Sequence, residues 1–101
     1  MTIQITKENF QTEVMESKQP VLLDFFATWC GPCKMLSPVL EQVSAENSDF
    51  KVGKIDIDAQ PELASEFHIM SVPTLVVIKD GKVVNQASGF RPKEQVVQLV
   101  K

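Results

Sequence analysis

The chain is poor in the residues from which many functional sites are built. Its 101 residues include one histidine, one tryptophan, no tyrosine and only two cysteines. A lone histidine, His68, reads as a surface or packing residue rather than as an acid–base group. Glycine is scarce, with four in all, and no Gly-rich phosphate loop is present, so nothing here is shaped to bind a flavin or a nucleotide. Basic charge is not in excess: the formal net charge is −3, too weak and of the wrong sign for a general binder of nucleic acid or other polyanions. No apolar run approaches membrane-spanning length. The first residues, "MTIQITKENFQTEVMESK", lack the basic stretch and following apolar segment of a secretory signal. The expectation is a cytoplasmic protein that contacts neither membrane nor nucleic acid, in a compartment where thiols are kept reduced.

What is present fits one domain over residues 1–101, with 44% hydrophobic and 23% charged residues, ordinary for a globular chain with one core. "TIQIT" alternates as a short first strand, and Thr6 stands where it can cap a helix carrying Phe10 and Val14 on one face. "PVLLDFF" is a strand-length run, apolar on both faces except for Asp24. Leu36, Val39, Leu40 and Val43 recur at helical spacing, and Pro38 inside that pattern should kink the helix. "FKVGKIDI" reads as a third strand, and Pro61 suits the first turn of a short helix. "TLVVIKDGKVVNQAS" is a hairpin about Asp80-Gly81. A last helix near Pro92 packs Val96, Leu99 and Val100. Strands separated by helices favour parallel pairing, and the final hairpin must be antiparallel, which gives one mixed sheet with helices on both faces. Sites in such sheets form beyond the carboxyl ends of the parallel strands. "FFATWCGPCKML" lies there and holds both cysteines.

Three readings of Cys30 and Cys33 compete. A structural disulfide is disfavoured by the short loop, which contributes roughly 2 kcal/mol against roughly 5 for a loop spanning a small domain. Structural zinc takes four ligands, and His68 is the only other soft ligand, so zinc requires a site shared between chains. Reversible dithiol/disulfide chemistry suits the position best. A helix N-terminus presents unpaired N–H groups and a positive dipole end beside Cys30, which favours the nucleophilic thiolate. Gly31 lets another chain approach closely. Pro32 stiffens the turn and adds no charge, which argues against a strong oxidant.

"WCGPCK" (29–34), Asp24 in "LLDFF", Lys54 in "VGKIDID", "SVPT" (71–74), "KDGK" (79–82) and Gly89 in "ASGF" together resemble the thioredoxin family along nearly the whole chain. "CGPC" alone would leave other proteins of that fold open; the set is far more specific. The resemblance implies a thioredoxin fold, an α/β architecture with a central mixed five-stranded sheet flanked by four helices. It implies that Cys30 is the attacking thiol and Cys33 the buried resolving thiol of a redox-active disulfide. Asp24 is implied to lie under the pair and assist proton transfer, with Lys54 close by. Pro73 is implied to be cis and to face the disulfide. Trp29, Gly31, Pro32, Met70, Ser71, Val72 and Gly89 fall, with Pro73, where the family docks its targets through backbone and apolar contacts. Phe26 stands where many relatives carry a second tryptophan, and Phe67 where a tyrosine is common.

The implied activity is that of a monomeric cytoplasmic protein disulfide reductase with no bound cofactor and no metal. Its electrons come from a thioredoxin reductase, flavin- and NADPH-dependent, or ferredoxin-linked in some lineages. Its partners are that reductase and disulfide-containing proteins. A rival reading makes the same apolar rim a redox-independent binding subunit of another protein. An oxidase or isomerase is a further alternative, disfavoured because those relatives commonly carry histidine in the spacer.

The remaining residues have plainer readings to set beside the functional ones. Asp24 would be unremarkable at an edge where it reached water, but its strand is apolar on both faces, so burial is expected, with the raised pKa that burial brings. Pro73 could simply begin a strand. Trp29 reads as a partly exposed flank of the cysteines. Met35 and Met70 read as apolar filler rather than metal ligands, and Lys34 adds positive potential near the site.

Overall fold

Each strand of the computed structural model, which describes all 101 residues, follows from the apolar patterning of its segment. The strands are β1 (Ile3–Gln4), β2 (Val21–Phe26), β3 (Lys51–Asp56), β4 (Thr74–Lys79) and β5 (Lys82–Ser88). The α-helices are α1 (Gly31–Glu46), α2 (Pro61–Glu66) and α3 (Lys93–Val100), and a π-helical segment spans Gln11–Met15 between β1 and β2. The five strands form one sheet in the order β1-β3-β2-β4-β5. The architecture is the expected mixed five-stranded sheet with four helical segments.

β2 is central, which is why both of its faces are apolar. Leu22 enters a cluster with Leu36, Leu40 and Val43 of α1 and with Val96 and Val100 of α3. Leu23 and Phe25 point the other way, into a cluster with Val14 of the π-helical segment and Leu63 of α2. Phe67 joins that second layer, with its ring centroid 5.4 Å from Phe25 and 5.9 Å from Phe10. Helices therefore cover both faces.

Two expectations are corrected. The crossover argument made strands separated by helices parallel. β1, β3 and β2 obey it, but β4 runs antiparallel to β2, with Phe25 opposite Thr74 and Val21 opposite Ile78. The reason is length. A parallel return must carry the chain back along a strand, about 20 Å for six residues. α2 has six residues, about 9 Å of helix, so the chain stays at the end of the sheet where β3 finished and β4 starts from there. The second correction is the cap. Thr6 does not cap the first helical segment, which begins five residues later with no side-chain cap. Asn9 organises this corner: its Oδ1 accepts the Thr6 N–H at 2.7 Å and its Nδ2 donates to the Gln4 carbonyl at 2.9 Å.

α1 starts at the carboxyl end of β2, as the topology requires, and continues through Pro38 to Glu46. Pro32 sits in its first turn, where a missing N–H costs nothing. Asn47 closes the far end, its side-chain amide donating to the Val43 carbonyl at 2.9 Å.

Candidate functional site

Ala27, Thr28 and Trp29 turn the chain from β2 into α1, and Cys30 occupies the N-cap position of that helix in an extended conformation. Its sulfur accepts the Cys33 backbone N–H at 3.1 Å. An N-cap normally supplies oxygen to one of the unpaired donors of the first turn; here the acceptor is a sulfur. Cys30 and Cys33 are joined in a disulfide, with their Cα atoms 5.3 Å apart. The loop the pair closes is short, and no cluster of three or more His, Cys, Asp or Glu side chains is arranged to hold a metal ion.

Burial does not separate the two cysteines, since they are 5% and 4% exposed. Their neighbours do. Cys30 faces the loop before β4, with its Sγ 3.7 Å from the Val72 carbonyl oxygen. Gly31 and Pro32 beside it are exposed. Cys33 lies within the first turn of α1 and lines a pocket of about 210 Å³ with Phe26, Ser37 and Lys54 among its walls.

A second groove, of about 300 Å³, opens on the Cys30 side between Trp29, Ile57, Ile69, Met70, Ser71 and Val72. Trp29 is 68% exposed and Met70 94%. Met70 and Met35 are therefore not filler, because both stand in solvent. Met70 belongs to the loop between α2 and β4, which has no layer above it, and Met35 lies on the outer face of α1. The Trp29 indole is held by its Nε1–H, which donates to Asp58 Oδ2 at 2.9 Å. The Val72–Pro73 peptide is cis and Pro73 is buried. Gly89 meets this loop from β5: its N–H donates to the Pro73 carbonyl at 2.9 Å. Its φ is +90°, a conformation costly for any side chain, and the space where a Cβ would stand is open.

Asp24 lies on β2, two residues before the end from which the cysteine loop departs, and is fully buried at 0% exposure. The edge position considered for it is excluded by that burial. Neither carboxylate oxygen has a hydrogen-bond partner. Burial pushes its pKa up to about 7, and the charge of Lys54 offsets only part of that rise. Lys54 is its register partner on β3. The ammonium does not bond to it: Nζ donates to Ser37 Oγ at 2.7 Å and stands 5.0 Å from the centroid of the Phe26 ring.

Thus Cys30, Cys33, Val72, Pro73 and Gly89 converge at one end of the sheet, with Trp29 and Met70 on the rim and Asp24 and Lys54 below. His68 stands apart and exposed, with a φ of 54° at the end of α2. Two participants escaped sequence reasoning. Ser37 could have been found from its spacing, because four residues after Cys33 returns to the same helix face. Asp58 carried no comparable signal.

The whole chain, residues 1–101, matches the family model described as Thioredoxin. The thioredoxin of Bacillus subtilis (strain 168) is 48% identical over 99 residues, covering 97% of this chain and 93% of that protein. The thioredoxin of Mycobacterium tuberculosis (strain ATCC 25618 / H37Rv) is 46% identical over 98 residues, covering 96% and 84%. A protein of Mycobacterium leprae (strain TN) named bifunctional thioredoxin reductase/thioredoxin is 41% identical over 99 residues, which cover 97% of this chain and 22% of that longer one.

Proposed function

The chain belongs to the thioredoxin family, and is thus a protein disulfide reductase acting by thiol–disulfide exchange, and from that premise we propose how its residues divide the work. Reduced Cys30, as thiolate, attacks one sulfur of a target disulfide. A Cys30–target bond forms, the target's S–S bond breaks, and its other sulfur leaves as a thiolate. Cys33 then gives its proton to Asp24 and attacks the Cys30 sulfur. The Cys30–Cys33 bond forms, the mixed disulfide breaks, and the second target thiolate leaves. The target has gained two electrons and the chain is left as the disulfide described above.

The observation that carries this order is the Cys33 N–H on the Cys30 sulfur at 3.1 Å. A helix N-terminal donor aimed at a sulfur favours its anionic form, so Cys30 is the better nucleophile at neutral pH. Asp24 suits proton acceptance because it is buried, unpartnered and titrates near neutrality. Lys54 moderates its charge. The groove beside Trp29 and Met70, the exposed Gly31 and Pro32, and the open backbone around Ser71, Val72, Pro73 and Gly89 supply a surface on which an extended target segment can lie.

The protein's partners are a thioredoxin reductase and disulfide-bearing targets. We take the reductase to be the flavin- and NADPH-dependent kind, the chain to act as a monomer, and its location to be the cytoplasm. No helix is long and apolar enough to cross a membrane. Trapping tests the order of attack. Cys33→Ser should accumulate mixed disulfides with targets, and Cys30→Ser should not attack at all. The reverse pattern would exchange the two roles.

A further inference from the structure

Asp24 and Lys54 are Cα partners on adjacent parallel strands, so their side chains leave the same face of the sheet. A buried carboxylate beside a lysine is ordinarily expected to pair with it, because leaving either charge without a partner is costly. That pairing is absent. Both Asp24 oxygens are orphaned, while the Lys54 ammonium is engaged by the Ser37 hydroxyl at 2.7 Å and by the face of Phe26.

We propose that Ser37 is a positioning residue that holds the Lys54 ammonium off the Asp24 carboxylate and so keeps that carboxylate unpaired. Its catalytic consequence rests on the reading of Asp24 as the acceptor of the Cys33 proton. A carboxylate ion-paired to lysine has its lone pairs engaged and its charged form stabilised, and it is a weaker base. Ser37 prevents this by offering a competing acceptor from α1. It is one helical turn beyond Cys33 and lines the same pocket, so the hydroxyl, the ammonium and the resolving sulfur form one group. Among the other charged groups near the lysine, Asp56 stands two residues along β3 on the same face, with its Oδ1 already accepting the Asp58 and Ala59 N–H groups. α1 brings Cys33 and Lys34 to the pocket, β4 sets Leu75 against Asp24, and α3 contributes Val96 and Val100 to this layer. With the hydroxyl gone, the ammonium turns to the carboxylate of its register partner Asp24, both of whose oxygens are free to accept it.

The test compares Ser37→Ala with Ser37→Thr, which retains a hydroxyl. The carboxyl carbon of Asp24 is followed by NMR against pH in the oxidised protein. In Ser37→Ala its midpoint should fall by about one unit, and in Ser37→Thr it should stay with the wild type. An unmoved midpoint in Ser37→Ala, or the same fall in both variants, overturns the proposal. Stopped-flow resolution of a mixed disulfide is then measured over the same pH range. A rate profile that shifts with the NMR midpoint supports both the clamp and the role of Asp24. A midpoint that moves while the rate profile stays fixed upholds the clamp and removes Asp24 as the proton acceptor.

Discussion

Asp24 and Lys54 stand side by side on β2 and β3, yet the lysine bonds Ser37 on α1 and not the carboxylate. The carboxylate is left fully buried with no partner for either oxygen. Such a group is an awkward feature of the folded state whenever it is charged, and the fold carries it on the strand that leads into the cysteine loop.

Stability should record that burden. The Asp24 pKa is raised from 3.8 to about 7 by burial, with Lys54 opposing. The unfolded chain therefore ionises this group first, so folding becomes less favourable as pH rises from about 4, and the loss levels off above the folded pKa. Asp24→Asn removes the charge and keeps the shape. Its advantage over wild type should be small near pH 4, grow up to pH 7 and then hold constant, reaching on the order of 4 kcal/mol for a rise of roughly three units. Urea unfolding of the oxidised proteins at pH 4, 6 and 8 measures it. A difference between the two that is the same at all three pH values would mean that Asp24 ionises normally in the fold.

Burial of Asp24 was legible in the sequence because Val21 to Phe26 is apolar at alternate positions on both faces, and only a central strand asks for that. Strand and helix positions were legible for the same reason: period and punctuation are local. The direction of β4 was not, since it depends on how far α2 can carry the chain, and the rule for crossovers presumes a helix long enough to return. Thr6 and Asn9 lie three residues apart with similar capping chemistry, and neither caps the segment: Asn9 bonds back to Thr6 and Gln4 instead. Met35 and Met70 look alike to any pattern of hydrophobicity whether they fill a core or stand at a rim. The spacing of Ser37 from Cys33 could place it on the same helix face, but its bond to Lys54 depends on how β3 packs against α1.

Gly53 should be intolerant of any side chain. It lies in β3 between β1 and β2, and a Cβ there would stand 2.7 Å from Ile5 Cγ1 and 3.2 Å from Leu23 Cδ2. Ile5 and Leu23 are themselves fully packed, so neither can withdraw without disturbing the layer beneath. Gly53→Ala should cost about 1–3 kcal/mol through overpacking. Thermal or urea unfolding reads this directly, and equal stability would show that the edge strand β1 can move away freely.

His68 should prove to be a matter of backbone conformation. Its φ of 54° is left-handed, its side chain is exposed, and it follows the last turn of α2, where glycine is the favoured residue. His68→Gly relieves the Cβ contact and gives back some chain entropy to the unfolded state, so the net gain should be at most about 1 kcal/mol. Insulin reduction monitored by turbidity should be unaltered. A large fall in that activity would give His68 a chemical role that its position does not suggest.

The sharpest kinetic expectation returns to Asp24. Attack on a target needs only the Cys30 thiolate, which the Cys33 N–H favours at 3.1 Å. Release needs the Cys33 proton to leave; Cys33 is as buried as Cys30, which disfavours its thiolate, and no N–H donor offsets this as one does at the Cys30 sulfur. A carboxylate that titrates near 7 is matched to take such a proton at neutral pH. Asp24→Asn retains volume and removes the base. The first step should be little changed, and the second should slow by roughly a hundredfold, the low end of the range for loss of a general base. Mixed disulfides should therefore persist longest near pH 7. At high pH, where hydroxide can deprotonate Cys33 directly, the two proteins should converge. Stopped-flow measurement of both steps from pH 5 to 9 separates them. Equal resolution rates for wild type and Asp24→Asn across that range would leave the buried carboxylate without a part in the exchange.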